Sequence, residues 1–365
     1  MIERRKKPLR TLIRILLFIA AFLAIGFYLN FSVDQGEDIL IEENISSPEE
    51  DQSIIKEKGN SSESSMDKPT EGLSTLIGKE ASDVKSILGE PLRIDPSAYG
   101  YDWWIYNTDL SQYVQVGVKD QKVVTIYAIG ENVNIAPFKI GQPVEEIYTT
   151  AFIETNINLD YDGSSYRFEL NENEINTRPL IQMGEIFAQL YIDKFDATLS
   201  SVRFLDAETL IKIHPYELVY VGELLEVSPG EVGEEEMIDE GLEKQIFDIT
   251  NIMRLRHQLN PLELDEKTSQ VALAHSMDMY ESNDFSHTSK KFGELSNRLD
   301  AGEVFYQLAG ENIAANYTDA PAVMEGWLNS RGHRESLLNE NFTHIGIGVY
   351  KKHYTQNFIQ KWEEQ

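Results

Sequence analysis

Three short polar blocks follow one another in the last third of the chain, and each carries a side chain that can bind a proton or a metal. They are Phe285-Ser286-His287, Gly310-Glu311-Asn312-Ile313-Ala314 and Trp327-Leu328-Asn329-Ser330-Arg331-Gly332-His333-Arg334. His287, Glu311 and His333 are far apart in the chain, so only a fold built from several elements can bring them together. This requirement constrains the fold more than any other feature of the sequence.

Apolar residues at helical spacing predict three helices around these blocks. The first carries Ile246, Ile249 and Met253, the second follows a capping Asp265 and carries Val271, His275 and Met279, and the third follows Thr318 or Asp319 and carries Val323 and Trp327. His275 lies in the apolar stripe of the second helix. We therefore interpret it as a hydrogen-bonded core histidine and not as a ligand.

A strand with one bare face is predicted near the C-terminus. Ile345, Ile347 and Val349 alternate with Gly346 and Gly348, so one face is apolar and the other has no side chains. Something must approach that bare face closely, either a helix or the wall of a cleft. Residues 354–358 supply an antiparallel partner strand, and we interpret the nearby His344 and His353 as surface residues.

The run from about residue 246 to residue 362 resembles the CAP superfamily, also called the SCP domain, of secreted cysteine-rich, antigen-5 and pathogenesis-related proteins. It is most similar to the cysteine-free bacterial branch, since the chain has no cysteine. The resemblance implies an α+β fold, with a C-terminal α-β-α sandwich over residues 244–362.

The same resemblance implies a central cleft lined by His287 and His333, which coordinate a divalent metal in several family members, often zinc, with Glu311 nearby. Neutral imidazole is a good zinc ligand, and two histidines with one glutamate leave a coordination position open. Glu311 is also the candidate catalytic base. The alternative is structural: Glu311 caps backbone amides, while the imidazoles bond each other or a bridging water.

One departure from the family pattern argues against hydrolysis. Animal and plant members carry a second glutamate three residues after the helix tryptophan, where this chain has Ser330, and Glu325 does not obviously replace it. Ser286 lacks the strand-turn-helix context of a hydrolase nucleophile. We therefore favour a binding function over catalysis, with a metal-dependent hydrolase or protease as the alternative.

The N-terminus predicts where the protein works. A basic flank at residues 1–14 precedes an apolar, uncharged segment at residues 15–33, which is long enough to span a bilayer. The positive-inside rule then leaves the rest of the chain outside the cell. No clear cleavage site follows, which favours an uncleaved membrane anchor; cleavage would give a secreted protein.

Charge and composition define two linkers and exclude one class of partner. The net charge of −29 disfavours nucleic acid, whose phosphates need a basic face. Residues 34–72 are acidic, rich in serine and free of aromatic residues, which predicts a disordered tether. Residues 223–243 form a second acidic stretch, predicted as the linker between two domains. The partner is then an envelope protein, lipid or glycan.

Residues 73–222 repeat themselves. Each copy starts with a glycine and a helical pattern and ends in strands of alternating character, which predicts a tandem α+β module. The first copy contains Asp120-Gln121 as a plausible hairpin turn, and we interpret Trp103 and Trp104 as core and edge residues. This region resembles the CAP-associated N-terminal module.

Overall fold

Two long stretches of the chain carry the folded elements. The structure is a computed structural model that describes residues 66–227 and 233–362, together with the backbone of residues 39–40. The predicted basic flank and transmembrane segment, residues 1–33, lie outside the described residues, as does most of the predicted tether. Within the stretches described, no helix is long and apolar enough to cross a membrane.

The first stretch is a mixed module of short helices and longer strands. Its helices are α1 (Ala81–Leu88), α2 (Val144–Thr150), α3 (Glu172–Thr177) and α4 (Ala207–Ile213), and two 3-10 turns cover Leu73–Leu76 and Leu110–Gln112. Ile39–Leu40 is β1 and belongs to the sheet of the second stretch. The strands of the first stretch are β2 (Arg93–Pro96), β3 (Asp102–Tyr106), β4 (Val114–Lys119), β5 (Lys122–Ala128), β6 (Asn156–Tyr161), β7 (Ser164–Glu169), β8 (Leu180–Met183), β9 (Ile186–Asp193), β10 (Thr198–Leu205) and β11 (Glu217–Val221).

Both predicted copies contribute strands to one sheet of the module. Seven strands lie in the order β2-β3-β4-β5-β10-β9-β8, and β11-β7-β6 form a separate three-stranded sheet. Asp120 and Gln121 connect β4 to β5 with positive φ angles of 49° and 64°, as a tight hairpin turn requires. Trp103 and Trp104 are both buried, on opposite faces of β3.

The second stretch places a five-stranded sheet between helices. Its helices are α5 (Glu234–Arg256), α6 (Glu266–Ser282), α7 (Leu295–Ala301), α8 (Ala320–Leu328) and α9 (Arg331–Leu337). Its strands are β12 (Glu263–Leu264), β13 (Leu308–Ala315), β14 (His344–Tyr350) and β15 (His353–Gln360). The sheet order is β1-β13-β15-β14-β12, with β13, β15 and β14 antiparallel.

The bare face of β14 is covered by a helix, as the glycine pattern predicts. A Cβ atom on Gly346 would lie 2.2 Å from the backbone carbon of Thr268, and one on Gly348 would lie 2.0 Å from the backbone nitrogen of Leu273. Both neighbours belong to α6, so its backbone rests directly on the strand. The opposite, apolar face of β14 packs in the core that includes α5 and α8.

The predicted caps hold these helices in place. The side chain of Asp265 accepts from the backbone nitrogen of Thr268 at the start of α6, and Asp319, not Thr318, accepts from Ala322 at the start of α8. Trp327 is fully buried, and its indole nitrogen donates to the carbonyl of Ile313 at 3.1 Å. Helices on both faces of the sheet give an α-β-α sandwich.

The predicted linker over residues 223–243 is too long, because α5 begins at Glu234. Three glutamates fill the first turn of this helix, where negative charge favours the positive end of the helix dipole. Gly241 does not break the helix. A Cβ atom at that position would lie 2.9 Å from the Cβ of Asp95, so the glycine allows α5 to pack closely on the module.

Buried polar pairs join the module to the sandwich. Arg203 on β10 donates to Asp319 at 2.6 Å, and both side chains are almost completely buried. Ser200 and Ser201, also on β10, donate to the carboxyl group of Glu325 on α8. The two described stretches belong to one compact unit.

Candidate functional site

Glu311 is the centre of a buried polar cluster on β13. Its Oε1 atom accepts from Nδ1 of His287 at 3.0 Å, and its Oε2 atom accepts from Nη2 of Arg298 on α7. The Nη1 atom of Arg298 also donates to the carbonyl of His287 at 2.8 Å. Arg298 thus holds both members of the His287–Glu311 pair.

The charge of Glu311 is compensated inside the protein. Burial acts to raise the pKa of this carboxyl group, but the hydrogen bond from His287 and the charge of Arg298 outweigh burial and keep the pKa below its usual value. Glu311 is therefore an ionised carboxylate whose two oxygens already accept hydrogen bonds from side chains. The alternative predicted that Glu311 caps backbone amides, but both of these hydrogen bonds come from side chains, His287 and Arg298.

His275 on α6 also faces this cluster. It is buried as predicted, but neither ring nitrogen has a hydrogen-bond partner among the described residues, and Nε2 lies 3.9 Å from Oε1 of Glu311. The prediction of a hydrogen-bonded core histidine is therefore wrong in its hydrogen bonding. Burial lowers the pKa of His275 to about 4, against the opposing effect of Glu311. The ring is neutral at physiological pH.

His333 on α9 is held by its neighbours in a different way. Its Nδ1 atom lies 2.8 Å from Oγ of Ser330, and its carbonyl accepts from Nδ2 of Asn312 at 3.1 Å. Its Nε2 atom is buried without a partner in the described part of the chain. Burial, and then the charge of His287, lower the pKa of His333 to about 4. This imidazole is therefore also neutral at pH 7.

The strand β13 positions both parts of the site. Successive side chains of a strand point to opposite faces, so Glu311 faces His287 and His275, while Asn312 faces α9 and holds the backbone of His333. Asn312 is fully buried and also donates to Gln356 on the neighbouring strand β15 at 3.3 Å. The Gly-Glu-Asn block therefore acts on both sides of one strand.

His287, Glu311 and His333 do not bring three donor atoms within 4.8 Å of one another, so a divalent cation would depend on the two imidazoles. Donation from Nδ1 of His287 to Glu311 makes Nε2 the basic nitrogen of that ring, and a carboxylate bonded to the other nitrogen is the usual outer partner of a metal-binding histidine. His333 adds an unpartnered Nε2 atom. Glu311 fits the role of orienting His287 better than that of a direct ligand, because Arg298 already pairs with it.

Another group of possible ligands lies where the module meets the sandwich. Across residues 66–227 and 233–362, the only three donor atoms of His, Asp or Glu found within 4.8 Å of one another belong to Asp193, Asp196 and His257. Arg334 already supplies a cation there, with Nη1 at 2.7 Å from Asp193 and Nη2 at 3.2 Å from Asp196. The binding of metal by His287, His333 and Glu311 stays a prediction.

Sequence patterns miss two residues of the cluster. Arg298 lies on a short helix with no motif around it, and its direction depends on how α7 packs against β13. His275 is recognisable as the single histidine in an apolar stripe, but the carboxylate beside it comes from a distant strand. Glu325 does not replace the missing second glutamate, because it is buried against Ser200 and Ser201 of the module.

A sheet covered by helices on both faces, with a histidine and glutamate cluster on β13, defines an α+β protein of the CAP type. The family model described as the Cysteine-rich secretory protein family matches residues 247–362. The model described as CAP-associated N-terminal matches residues 77–216. The chain belongs to the CAP superfamily and carries the CAP-associated module in front of its CAP domain.

Similar proteins come from species of Bacillus and Staphylococcus. YlbC of Bacillus subtilis, an uncharacterized membrane protein, is 53% identical over 296 residues, which cover 80% of this chain and 85% of YlbC. An extracellular protein of Bacillus anthracis with an SCP domain is 46% identical, with a TM-score of 0.76 over 84% of this chain and 100% of that structure. A cysteine-rich secretory protein of Staphylococcus aureus is 31% identical, with a TM-score of 0.73 over 81% of this chain and 98% of that structure.

Proposed function

We propose that this protein works outside the cell as a membrane-anchored binding protein, whose CAP cleft engages a protein, lipid or glycan of the bacterial cell envelope. The basic flank and apolar segment at residues 1–33 support an anchor with the bulk of the chain outside. The similarity to a membrane protein of Bacillus subtilis and to an extracellular protein of Bacillus anthracis is consistent with this location.

One observation favours binding over hydrolysis. The carboxylate of Glu311 is buried and paired with both His287 and Arg298, which keeps its pKa low and makes it a weak base. Ser330, in the position of the missing second glutamate, interacts with His333 instead of activating a water. The site thus combines the compensated charge of Glu311 with the neutral imidazoles of His275 and His333, a combination suited to recognition.

A sedimentation experiment tests the proposed binding. Residues 66–365 are incubated with purified cell walls and, separately, with phosphatidylglycerol–cardiolipin vesicles, and the bound fraction is measured. We expect binding to one of the two that is lost when His287→Ala and His333→Ala are combined. His344→Ala is the matched control, because that imidazole lies at the start of β14 beside Glu263 and outside the cleft. Binding that survives the double substitution would contradict the proposal.

A second part of the proposal concerns a divalent cation, with zinc as the first probe. When bound, such an ion would act as a Lewis acid toward a ligand atom; His287 and His333 would hold it, and Glu311 would orient His287. Calorimetry with ZnCl₂ should give one site that is lost in the double histidine variant. Glu311→Gln should weaken the affinity by about 10- to 100-fold, as loss of an outer partner does.

Controls separate this site from other outcomes. His257→Ala removes one donor of the Asp193, Asp196 and His257 group. Loss of zinc binding in this variant would show that the ion binds to that group and not to His287 and His333. Soluble fragments released from cell walls by the parent, but not by Glu311→Gln, would favour the hydrolase alternative. If neither variant of the cleft changes zinc binding, the imidazoles are structural.

A further inference from the structure

The module reaches the CAP segment that carries His333. The turn between β9 and β10 contacts Asn329, which ends α8 just before α9 begins. Nδ2 of Asn329 donates to the carbonyl of Ile192 at 2.8 Å, and its Oδ1 atom accepts from the backbone nitrogen of Lys194 at 2.9 Å. Both hydrogen bonds join the module to the CAP domain one residue before Ser330, the partner of His333.

Arg334, the neighbour of His333, makes the second connection. Its guanidinium group donates to Asp193 at 2.7 Å and to Asp196 at 3.2 Å, and it lies 4.9 Å from the centre of the Phe195 ring. Its Nη2 atom also lies 3.1 Å from Nε2 of His257, at the end of α5. The ring of His257 is held on its other side by the carbonyl of Met253, 2.8 Å from Nδ1, and its Nε2 atom also lies 3.2 Å from Oδ2 of Asp196.

The turn is shaped before it meets Arg334. Oδ1 of Asp193 accepts from the backbone nitrogens of Phe195 and Asp196, at 3.0 and 3.3 Å, which closes the turn on its own aspartate. Its other oxygen, Oδ2, is the one that accepts from Arg334. Asp193 is 3% exposed, so this bond is shielded from water. One carboxylate thus builds the turn and binds the CAP domain.

The far end of α9 is fixed by the CAP domain itself. Nη1 of the buried Arg254 donates to the carbonyls of Leu337 and Asn339, both at 2.9 Å. The start of α9 depends on the module, through Asn329 and Arg334. Because Nε2 of His333 has no partner among the described residues, the position of the ring depends on how firmly its short helix is held.

We propose that Asp193 and Asp196 of the module are positioning residues for the CAP cleft, and that they act on His333 through Arg334. The CAP-associated module is then a structural part of the site and not only a spacer between the membrane and the CAP domain. The value of this arrangement for ligand binding rests on the proposed function, but the arrangement itself is testable without any ligand.

The test is hydrogen–deuterium exchange at the C2 position of each histidine, followed by mass spectrometry on the full chain in detergent. The variant carries Asp193→Asn and Asp196→Asn. Loss of charge-assisted hydrogen bonds should raise the exchange rate of His333 roughly tenfold. His275 on α6 should keep its rate.

The matched control is Asp160→Asn with Asp162→Asn. It removes the same two charges from the exposed end of β6 and the turn that follows it, and it should leave His333 unchanged. Unchanged His333 exchange in the Asp193 and Asp196 variant would overturn the proposal. Equal acceleration at His275 and His333 would also overturn it, since the turn would then stabilise the whole domain and not one imidazole.

A double-mutant cycle tests the route through Arg334. Asp193→Asn and Arg334→Gln should each accelerate exchange at His333, and the combined variant should resemble either single one. Additive effects would contradict a route through this bond. Failure of cell-wall and vesicle binding, with His333 still dependent on Asp193, would remove the proposed function and leave the positioning role intact.

Discussion

The interface between module and CAP domain and the cleft around Glu311 both bury polar side chains, but they satisfy them differently. In the interface, Arg203 faces Asp319, and Glu325 accepts from two serine hydroxyls. In the cleft, His275 has no partner on either ring nitrogen and His333 has none on Nε2, within the part of the chain described. Only the Glu311 charge is fully compensated there.

This difference indicates which region serves stability and which serves function. A buried polar group without a partner costs free energy, whereas a paired one is close to neutral or favourable. A fold that needed only stability would satisfy the imidazoles or replace them with apolar residues. Arg203 and Glu325 in the interface also have buried atoms without a partner among the described residues, but each keeps at least one hydrogen bond, whereas His275 has none on either ring nitrogen. The cluster around Glu311 therefore carries a cost that a bound ligand or ion could offset.

The largest expected effect comes from breaking the interface. Arg203→Met leaves the buried carboxylate of Asp319 without its cation and should reduce the free energy of unfolding by about 3–5 kcal/mol, measured by guanidinium denaturation of residues 66–365. Adding Asp319→Asn should restore most of the lost free energy of unfolding, because it removes the unpaired charge and asparagine still caps α8. A loss below about 1 kcal/mol in the single variant would erase the contrast with the cleft.

The cleft imidazoles should make the protein sensitive to acid. The pKa values of His275 and His333 are about 4 when folded and ordinary when unfolded, so the unfolded state binds more protons at these two residues between those values, and their contribution to stability falls as the pH is lowered from about 6.5. His275→Leu should remove about 2–3 kcal/mol of this loss by pH 4.5.

Denaturation curves collected from pH 7 to pH 4.5 check this prediction. The carboxyl group of Glu311 stays ionised in this window, because its folded pKa is below the ordinary value. Its own contribution is therefore lost only at lower pH. Parallel profiles for the parent and His275→Leu between pH 6.5 and pH 4.5 would contradict the assignment of a neutral, buried imidazole, because other titrating groups are common to both proteins.

The smallest effect should come from Glu325, and it should have the opposite sign. Burial raises the pKa of this carboxyl group to about 7, against the hydrogen bonds from the serines. The folded state then binds the extra proton between pH 4.5 and 7, so stability falls as the pH rises through that range. From pH 5 to pH 6.5, Glu325→Gln should gain roughly 1–2 kcal/mol relative to the parent. Parallel pH profiles for the two proteins would exclude this.

Local patterns in the sequence predict most of the CAP fold. Gly346 and Gly348 predict a close approach because the absence of Cβ atoms is a local property, and α6 fills that space. Asp265 predicts the start of α6 for the same reason, since a cap acts within one turn. The linker prediction is wrong at Gly241, which lies inside α5. This glycine allows the helix to pack closely against Asp95, which comes from another part of the chain.

The site is less predictable, because its charges come from elements that meet only in the folded protein. The motifs indicate His287, Glu311 and His333, and the structure places the first two in direct contact. They do not indicate Arg298, which forms an ion pair with Glu311, or Arg334, whose carboxylate partners lie in the module. Spacing along the chain carries no information about such distant pairs.

The alternation of Glu311 and Asn312 on β13 makes the site dependent on strand register. Eight residue pairs hold β13 against β15, from Leu308 with Gln360 to Ala315 with His353. A slip by one residue would turn the amide toward His287 and put a buried carboxylate under α9, beside the carbonyl of His333. The backbone pairing of β13 with β15 therefore decides whether a carboxylate or an amide faces His287. A strand paired in the wrong register could still fold, but it would place the amide where the carboxylate belongs.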